Sequence, residues 1–307
     1  MRVIFGDARR VLPTLAADSV DTVVTSPPYW WMKDYNVDGQ IGHEETLDQY
    51  VGALRAVFAD VRRVLKPAGT CWLNLGDCYA YASTPYVWRT DYKRSSSGKW
   101  IPPQGCAPVP EGLQFRSLIG VPWRVAMALQ ADGWVLRNAV IWHKPNGMPH
   151  PSKDRFTRKY EYVFLLTKAT HYYFNLDQVR KDTGANPGDV WSIPTRPSGV
   201  KHFATMPPEL VRRCLKAGCP WRVCVECGLP AEGGWCKCEA GAGRRPAVVL
   251  DPFAGSGTTL LVARQLGLDA IGIELNPDYE AMMRQRLGEE GTLLPEVTFE
   301  TFKEGEE

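Results

Sequence analysis

Residues 248–259 read VVLDPFAGSGTT. Three apolar residues suited to a buried strand run into a glycine turn, and two threonines open a helix over about 257–266. Gly255 and Gly257 permit positive φ and close backbone approach, and the first helical turn offers free N–H groups. Such a strand–turn–helix brings backbone against a small ligand. An isolated glycine turn is also a common tight connection, so context decides its meaning. The turn lacks the Gly-Lys-Ser/Thr ending of a triphosphate loop. The next apolar run, AIGIE (270–274), ends in Glu274, about twenty residues on, where an acid can take ribose hydroxyls.

Working outward, strands and helices alternate. RVIFGD (2–7) and VDTVV (20–24) read as strands. Leu47, Tyr50, Val51, Leu54, Val57, Phe58, Val61, Val64 and Leu65 repeat at helical spacing over 46–65, and LKPAG stops that helix. Strands are expected at 70–77, 137–144, 160–168 and 248–251. Further helices are expected at 118–132, 207–217 and 277–287. Residues 82–117 show no periodicity and read as a long loop or small insertion. The alternation predicts an α/β protein with a largely parallel sheet covered on both faces.

The chain has 307 residues, 44% hydrophobic and 23% charged, with a formal net charge of +2. These values suit a globular protein and give no general basic coat, so nucleic-acid contact must come from local patches. No run approaches a membrane span, and MRVIFGDARR lacks a signal-peptide pattern. A cytoplasmic protein without membrane partners is expected. The tail from 288 carries seven Glu against one Lys and is expected to be mobile.

A second string lies at the other end of the chain. TSPPYW (25–30) ends a predicted strand, where open α/β sheets bind ligands. Pro27 and Pro28 fix φ and remove two N–H donors, leaving a stiff loop that presents acceptors. Ser26 and a backbone carbonyl could accept hydrogens from an exocyclic aryl amine and aim its lone pair. Tyr29 could stack on the ring. Alone, the tetrapeptide is better read as a proline-rich surface turn.

Together the two strings resemble the DNA amino-methyltransferases, which methylate cytosine N4 or adenine N6 from S-adenosyl-L-methionine. Catalytic loop first and cofactor loop last is the order of the beta class. LKPAG (65–69), TCWLNLGD (70–77), GVPWRVAMALQADGW (120–134) and IWHKPN (141–146) are also similar to that family, so the resemblance spans nearly the whole chain. It implies a seven-stranded, mostly parallel sheet with its last strand antiparallel. It implies catalysis by Ser26, Pro27, Pro28 and Tyr29 on a flipped-out base. The cofactor would lie against Asp7, Thr25, Phe203, Asp251, Phe253, Gly255, Ser256, Gly257, Thr258, Glu274 and Asn276. Asp7 matches the family's adenine-contacting acid, though a helix-capping Asp is the plainer reading of GDARRVL. HFATMP (202–207) resembles the segment packed around the cofactor's methionine end, with Ala204 where many relatives have Pro. Adenine-modifying beta-class enzymes typically carry Asp at the first position of the catalytic tetrapeptide. Ser26 there resembles the cytosine-N4 enzymes.

Cys224-x2-Cys227-x8-Cys236-x-Cys238 has the spacing of a small zinc knuckle, with free thiols as the alternative and Cys214 or Cys219 as substitute ligands. Any zinc would be structural. Two stretches concentrate cations among aromatic residues: 83–118, with Arg89, Lys93, Arg94 and Lys99, and 143–168, with Lys144, Lys153, Arg155 and Arg158. They suit phosphate contacts, or a solvated surface.

The expected organisation is a catalytic half over 1–82, an inserted recognition loop over 83–118, the rest of the catalytic half with the methionine-end segment over 119–213, a Cys-rich insertion over 214–245, a cofactor half over 246–287 and a tail over 288–307. The expected function is site-specific methylation of cytosine N4 in double-stranded DNA. The alternatives are adenine N6, a catalytically inactive zinc-bearing DNA-binding protein, and an RNA substrate. A cognate restriction endonuclease and a homodimer are the partners that the resemblance adds.

Overall fold

The backbone follows the hydrophobic pattern closely. In this computed structural model the described residues are 1–80, 107–148, 153–195, 206–238, 243–288 and 296–303, with the backbone of 93–94, 100–101 and 106. The elements in chain order are β1 (Arg2–Phe5), α1 (Ala8–Val11), β2 (Val20–Thr25), α2 (Leu47–Val64), β3 (Leu65–Leu75), β4 (Tyr79–Ala80), β5 (Lys93–Arg94), β6 (Trp100–Ile101), β7 (Cys106–Ala107), α3 (Val121–Ala131), β8 (Val135–His143), β9 (Tyr160–Thr167), β10 (Val190–Ser192), α4 (Pro208–Gly218), β11 (Arg222–Cys224), β12 (Arg244–Pro246), β13 (Val248–Asp251), α5 (Thr258–Gln265), β14 (Asp269–Glu274), α6 (Glu280–Gly288) and β15 (Thr298–Thr301).

The main sheet runs β10-β8-β9-β3-β2-β13-β14-β1-β15. Only β9 runs antiparallel to its neighbours, β3 and β8. The expected antiparallel strand therefore exists, but mid-chain, with four further strands of the sheet after it in sequence. The sheet also has nine strands rather than seven. The added ones, β10 and β15, are short edge strands. Three or four residues at an edge need no apolar alternation, so neither shows in a periodicity. β15 corrects the expectation of a mobile tail. Thr298–Thr301 pairs in parallel with β1, and Glu300 meets Arg2 at 2.7 Å. Charged side chains on an edge strand also discourage pairing with other chains.

Helix α2 shows how the sequence sets local structure. Thr46 caps it through the Gln49 N–H, and the Gln49 side chain returns the bond, satisfying two otherwise orphaned donors. Leu47, Tyr50, Leu54, Val57, Phe58, Val61 and Val64 form its buried stripe. Each large apolar side chain so covered contributes about 1.5–3 kcal/mol. Pro67 follows the helix end, but no loop intervenes: β3 begins at Leu65, earlier than the expected 70.

Side chains from α2 and α3 fill one core, and those from α4, α5 and α6 fill the other. The crossover after β2 uses the first layer and the crossover after β13 uses the second. The sheet thus switches winding direction between β2 and β13, the place where open α/β folds bind ligands. Val249 pairs with Thr22 and Leu250 with Val23 there. Two loops more than 220 residues apart leave the same sheet edge side by side.

Two short pairs lie around the expected insertion, β4 with β7 and β5 with β6. No helix among the described residues is long and apolar enough to cross a membrane.

Candidate active site

The cofactor loop holds its shape through its own backbone. Gly255 and Gly257 take φ of 53° and 76°. Gly257 N–H donates to the Ala254 carbonyl at 2.8 Å. Glu274 closes the loop: Oε2 accepts from Gly255 N–H at 2.7 Å and Oε1 from Asn276 N–H at 2.8 Å. Asp251 accepts from Thr259 at 2.7 Å, Phe253 N–H at 3.1 Å and the Thr25 hydroxyl at 2.7 Å. The last bond joins β2 to β13.

Burial pushes the Glu274 carboxyl up to about 7, against the pull of the Asn276 and Gly255 N–H groups. Burial likewise lifts Asp251 to about 6, against its Thr259 and Thr25 bonds.

This loop walls a pocket whose space, open mouth included, is about 880 Å³. Of the expected cofactor residues, Asp7, Asp251, Phe253, Gly255, Ser256, Thr258, Glu274 and Asn276 line it, as does Ser26. Thr25 lies behind it on Asp251. Gly257 stands at the start of α5 against Met283. Phe203 and the rest of 202–205 lie outside the described residues, but Met206 reaches the wall.

Asp7 does cap α1 through Arg9 N–H at 2.9 Å and also holds the Arg9 guanidinium. Burial acts to raise its carboxyl, but the Arg9 bonds outweigh it and keep the group below its usual value.

The sequence reading missed the cover of this pocket. Tyr35, Val37, Gln40 and Ile41 line it from the segment after the catalytic loop. Arg9 ties that segment down at the Gly39 carbonyl, 2.7 Å away. Its aromatic residues within a turn-rich stretch were the available signal.

The Ser-Pro-Pro-Tyr loop is braced from elsewhere. The Ser26 hydroxyl donates to Tyr29 Oη at 3.2 Å. Tyr29 Oη lies 2.9 Å from Glu161 Oε2 and 3.1 Å from Asn74 Oδ1. The carboxylate is the stronger acceptor for its single proton. Asn74 Nδ2 donates to the Tyr162 carbonyl at 3.1 Å and to Glu161 at 3.2 Å. Lys144 forms an ion pair with Glu161 and sits 4.3 Å from the Trp142 ring centroid.

Gly76 leaves room for the Tyr29 ring. A Cβ there would stand 2.6 Å from Tyr29 Cε2. Tyr50 of α2 donates to the Pro28 carbonyl at 2.9 Å. Burial and the nearby Glu161 charge hold the Tyr29 phenol well above its usual range, so it stays protonated. Asn74 and Glu161 were also missed. Each is a polar side chain within an apolar run, Trp72–Leu75 for Asn74 and Tyr160–Leu166 for Glu161, which was the visible signal.

The candidate DNA contacts scatter. Arg89 and Lys99 lie outside the described residues, as do the Lys93 and Arg94 side chains. Lys144 is turned inward onto Glu161 rather than outward. Lys153 is exposed, and Arg155 and Arg158 stand over Tyr79.

The four knuckle cysteines do come together. Their sulfurs lie within 4.8 Å of one another and could hold a metal ion. Backbone N–H groups of Cys227 and Glu226 pull the Cys224 thiol down to about 7, toward the thiolate a metal needs. Cys214 and Cys219 are buried in the core instead. Lys66, at the start of β3, holds the knuckle at the Gly228 carbonyl, 2.9 Å away, and pairs with Asp21 of β2 at 2.6 Å. Tyr173 adds a 2.7 Å bond to Glu232. The knuckle thus docks at the amino ends of the strands, opposite the pocket.

A braced Ser-Pro-Pro-Tyr loop beside a glycine-turn pocket at the switch point is one half of the comparison with known proteins. The other half is sequence. The N6/N4 DNA methylase family matches residues 20–285. The chain belongs to that family.

Among its relatives, the type II methyltransferase M.SmaI of Serratia marcescens is 39% identical over 93% of this chain and 90% of its own. M.Cfr9I of Citrobacter freundii is 41% identical over 94% and 87%. In fold, the chain is similar to a DNA modification methylase of Thermus thermophilus complexed with S-adenosyl-L-methionine. The TM-score is 0.63, with 24% identity over 100% of this chain and 99% of that one. It is also similar to PvuII DNA methyltransferase (cytosine-N4-specific), with a TM-score of 0.64 and 20% identity over 92% and 85%.

The pocket of this methylase fits S-adenosyl-L-methionine. Glu274 offers carboxylate oxygens, Phe253, Tyr35 and Tyr279 offer ring surface, and the buried Thr258 hydroxyl has no partner among the described residues.

Proposed function

We propose that the protein methylates the exocyclic N4 of cytosine in double-stranded DNA, at a specific site. The observation that carries this reading is the Ser26–Tyr29 arrangement beside the pocket. The Ser26 proton is committed to Tyr29, so its lone pairs are free to accept. An aryl amine is a poor nucleophile because its lone pair is delocalised into the ring. Hydrogen bonds from its two N–H groups to the Ser26 hydroxyl and the Pro27 carbonyl favour a pyramidal nitrogen. Its lone pair then points across the sheet edge toward the pocket. S-adenosyl-L-methionine, when bound, supplies the electrophilic methyl group. The chain contributes orientation and a fixed electrostatic surround rather than a covalent partner.

Tyr29 is half-buried, with its hydroxyl anchored and one edge against Gly76, which leaves ring surface for the base. Such a pocket requires the base to leave the duplex. Around the cofactor, Glu274 takes the ribose hydroxyls, Phe253 and Asp7 flank the adenine, and Ser256, Thr258 and Asn276 complete the wall. Cys224, Cys227, Cys236 and Cys238 hold a structural zinc.

The choice of cytosine rests on Ser26, a neutral hydroxyl where adenine-modifying relatives of the beta class carry Asp. The test is direct. Unmodified genomic DNA is incubated with the enzyme and methyl-labelled cofactor, digested to nucleosides and resolved by mass spectrometry. The label is expected in N4-methyldeoxycytidine. Label confined to N6-methyldeoxyadenosine overturns the base assignment and leaves the chemistry intact.

A further inference from the structure

The loop between β8 and β9 carries an aromatic side chain that no described residue covers. Phe156 is 98% exposed, and Met148 on the same loop is 86% exposed. Leaving a Phe in water forgoes the stabilisation that burial gives an aromatic side chain. The exposure does not come from a slack backbone. The Arg155 guanidinium stands 3.8 Å from the Tyr79 ring centroid, and that of Arg158 stands 5.4 Å from the same ring. Asp154 pairs with Arg116 at 3.3 Å. Residues on both sides of Phe156 are therefore tied down, and the ring projects between them.

The base of this loop is part of the catalytic bracing. Lys144 N–H donates to the Lys159 carbonyl at 2.7 Å, which closes the loop. Lys144 and Glu161 then pair beside Tyr29. Phe156 lies five positions before Glu161, no more than roughly 18 Å of chain. Between 153 and 159 there are four cations, Lys153, Arg155, Arg158 and Lys159, against one acid, Asp154. An apolar tip set among cations, on the loop whose base anchors Tyr29, matches the chemistry of a duplex opened at one step. Phosphates meet the cations, and the unstacked base faces meet the ring.

We propose that Phe156 is the wedge that enters the duplex where the target base leaves it. The inference rests on the base-flipping reading above. The ring replaces the lost stacking on the neighbouring bases and so offsets part of the unstacking cost. A phenyl face stacks on any base, so the wedge assists flipping without reading sequence. Arg155 and Arg158, fixed on Tyr79, hold its direction.

The test uses the intact enzyme and duplexes carrying the site mapped by sequencing wild-type-methylated DNA. Phe156→Ala should leave cofactor affinity unchanged, because the side chain is almost wholly exposed and does not line the cofactor pocket. On the fully paired duplex its kcat/KM should fall roughly 10- to 100-fold, the scale of a few kcal/mol of unstacking. Phe156→Leu, which keeps an apolar wedge, should recover much of that loss. With the partner of the target base replaced by an abasic site, flipping costs less, and the gap between Phe156→Ala and wild type should largely close. An equal loss on both duplexes, or no loss on the paired one, overturns the wedge. No methylation of any DNA by wild type would overturn the functional reading itself, a separate and recognisable outcome.

Discussion

The two loops that meet at the switch point are held in different ways. In DPFAGSGTT the bonds that shape the turn itself are local, while Asp251 and Thr259 also tie the loop to Thr25 and Val24 of β2. Gly257 reaches Ala254, Phe253 and Thr259 reach Asp251, and the longest of these local ties, Gly255 to Glu274, spans nineteen positions. In TSPPYW the bracing comes from far away. Tyr29 depends on Asn74, 45 positions on, and on Glu161, 132 positions on. A locally held loop carries its structure in its own string. A remotely held loop carries only its chemistry, and the fold must supply the geometry.

That division makes damage separable. Tyr29→Ala removes the platform for the base but no wall of the cofactor pocket. Methyl transfer should fall by roughly 100-fold or more, as for loss of a positioning group, while S-adenosyl-L-methionine affinity stays near wild type. Gly255→Val forces a branched side chain onto positive φ and should abolish cofactor binding. Isothermal titration of both variants checks the pair. Lost cofactor binding in Tyr29→Ala would show that the loops are not separable.

A smaller effect probes the bracing alone. Tyr29→Phe keeps the ring and removes its anchor, and Glu161→Gln weakens the acceptor while leaving Lys144 without its partner charge. Each should lower kcat by about tenfold, the scale of one charge-assisted hydrogen bond. If Glu161 acts through Tyr29, the double variant should be little worse than Tyr29→Phe. Fully additive losses in the double-mutant cycle would assign Glu161 a separate role.

The cofactor loop has its own signature in pH. In the proposed cofactor site the ribose hydroxyls bind the ionised Glu274 carboxylate best, and burial pushes that group up to about 7. Affinity for S-adenosyl-L-methionine should therefore rise with pH, by roughly tenfold from about pH 6 to about pH 8. Stability of the free protein runs the other way. The folded-state value is raised above the ordinary 4.5, so the native state holds the extra proton in that window. Stability falls as pH rises from about 4.5 through about 7. Glu274→Gln should flatten the affinity profile, and an unchanged slope would point to Asp251 instead.

The smallest effect on catalysis is expected at the far edge of the sheet. Purified protein should carry about one zinc per chain, tetrahedral and sulfur-rich. Cys227→Ser should lose it and lower the melting temperature, while kcat changes by less than about twofold, since the knuckle docks opposite the pocket. Elemental analysis without zinc in protein kept from chelators would remove the metal from this picture.

The sequence by itself determined the α/β class, the helix and strand positions of the core, the glycine turn after β13 and the Ser-Pro-Pro-Tyr string proposed here as catalytic. In each case the signal is local: a period, a cap, a glycine turn, a pair of prolines. Only the tertiary structure decided that β2 and β13 are neighbours, that Thr25 bonds Asp251, and that Asn74 and Glu161 anchor Tyr29. It also decided that Lys144 faces inward, that 35–41 cover the pocket, and that β10 and β15 extend the sheet to nine strands. The physical reason is common to all of these. Pairing of distant segments depends on how two hydrophobic faces pack around one sheet, and a polar residue's partner is fixed by that packing rather than by its neighbours in sequence.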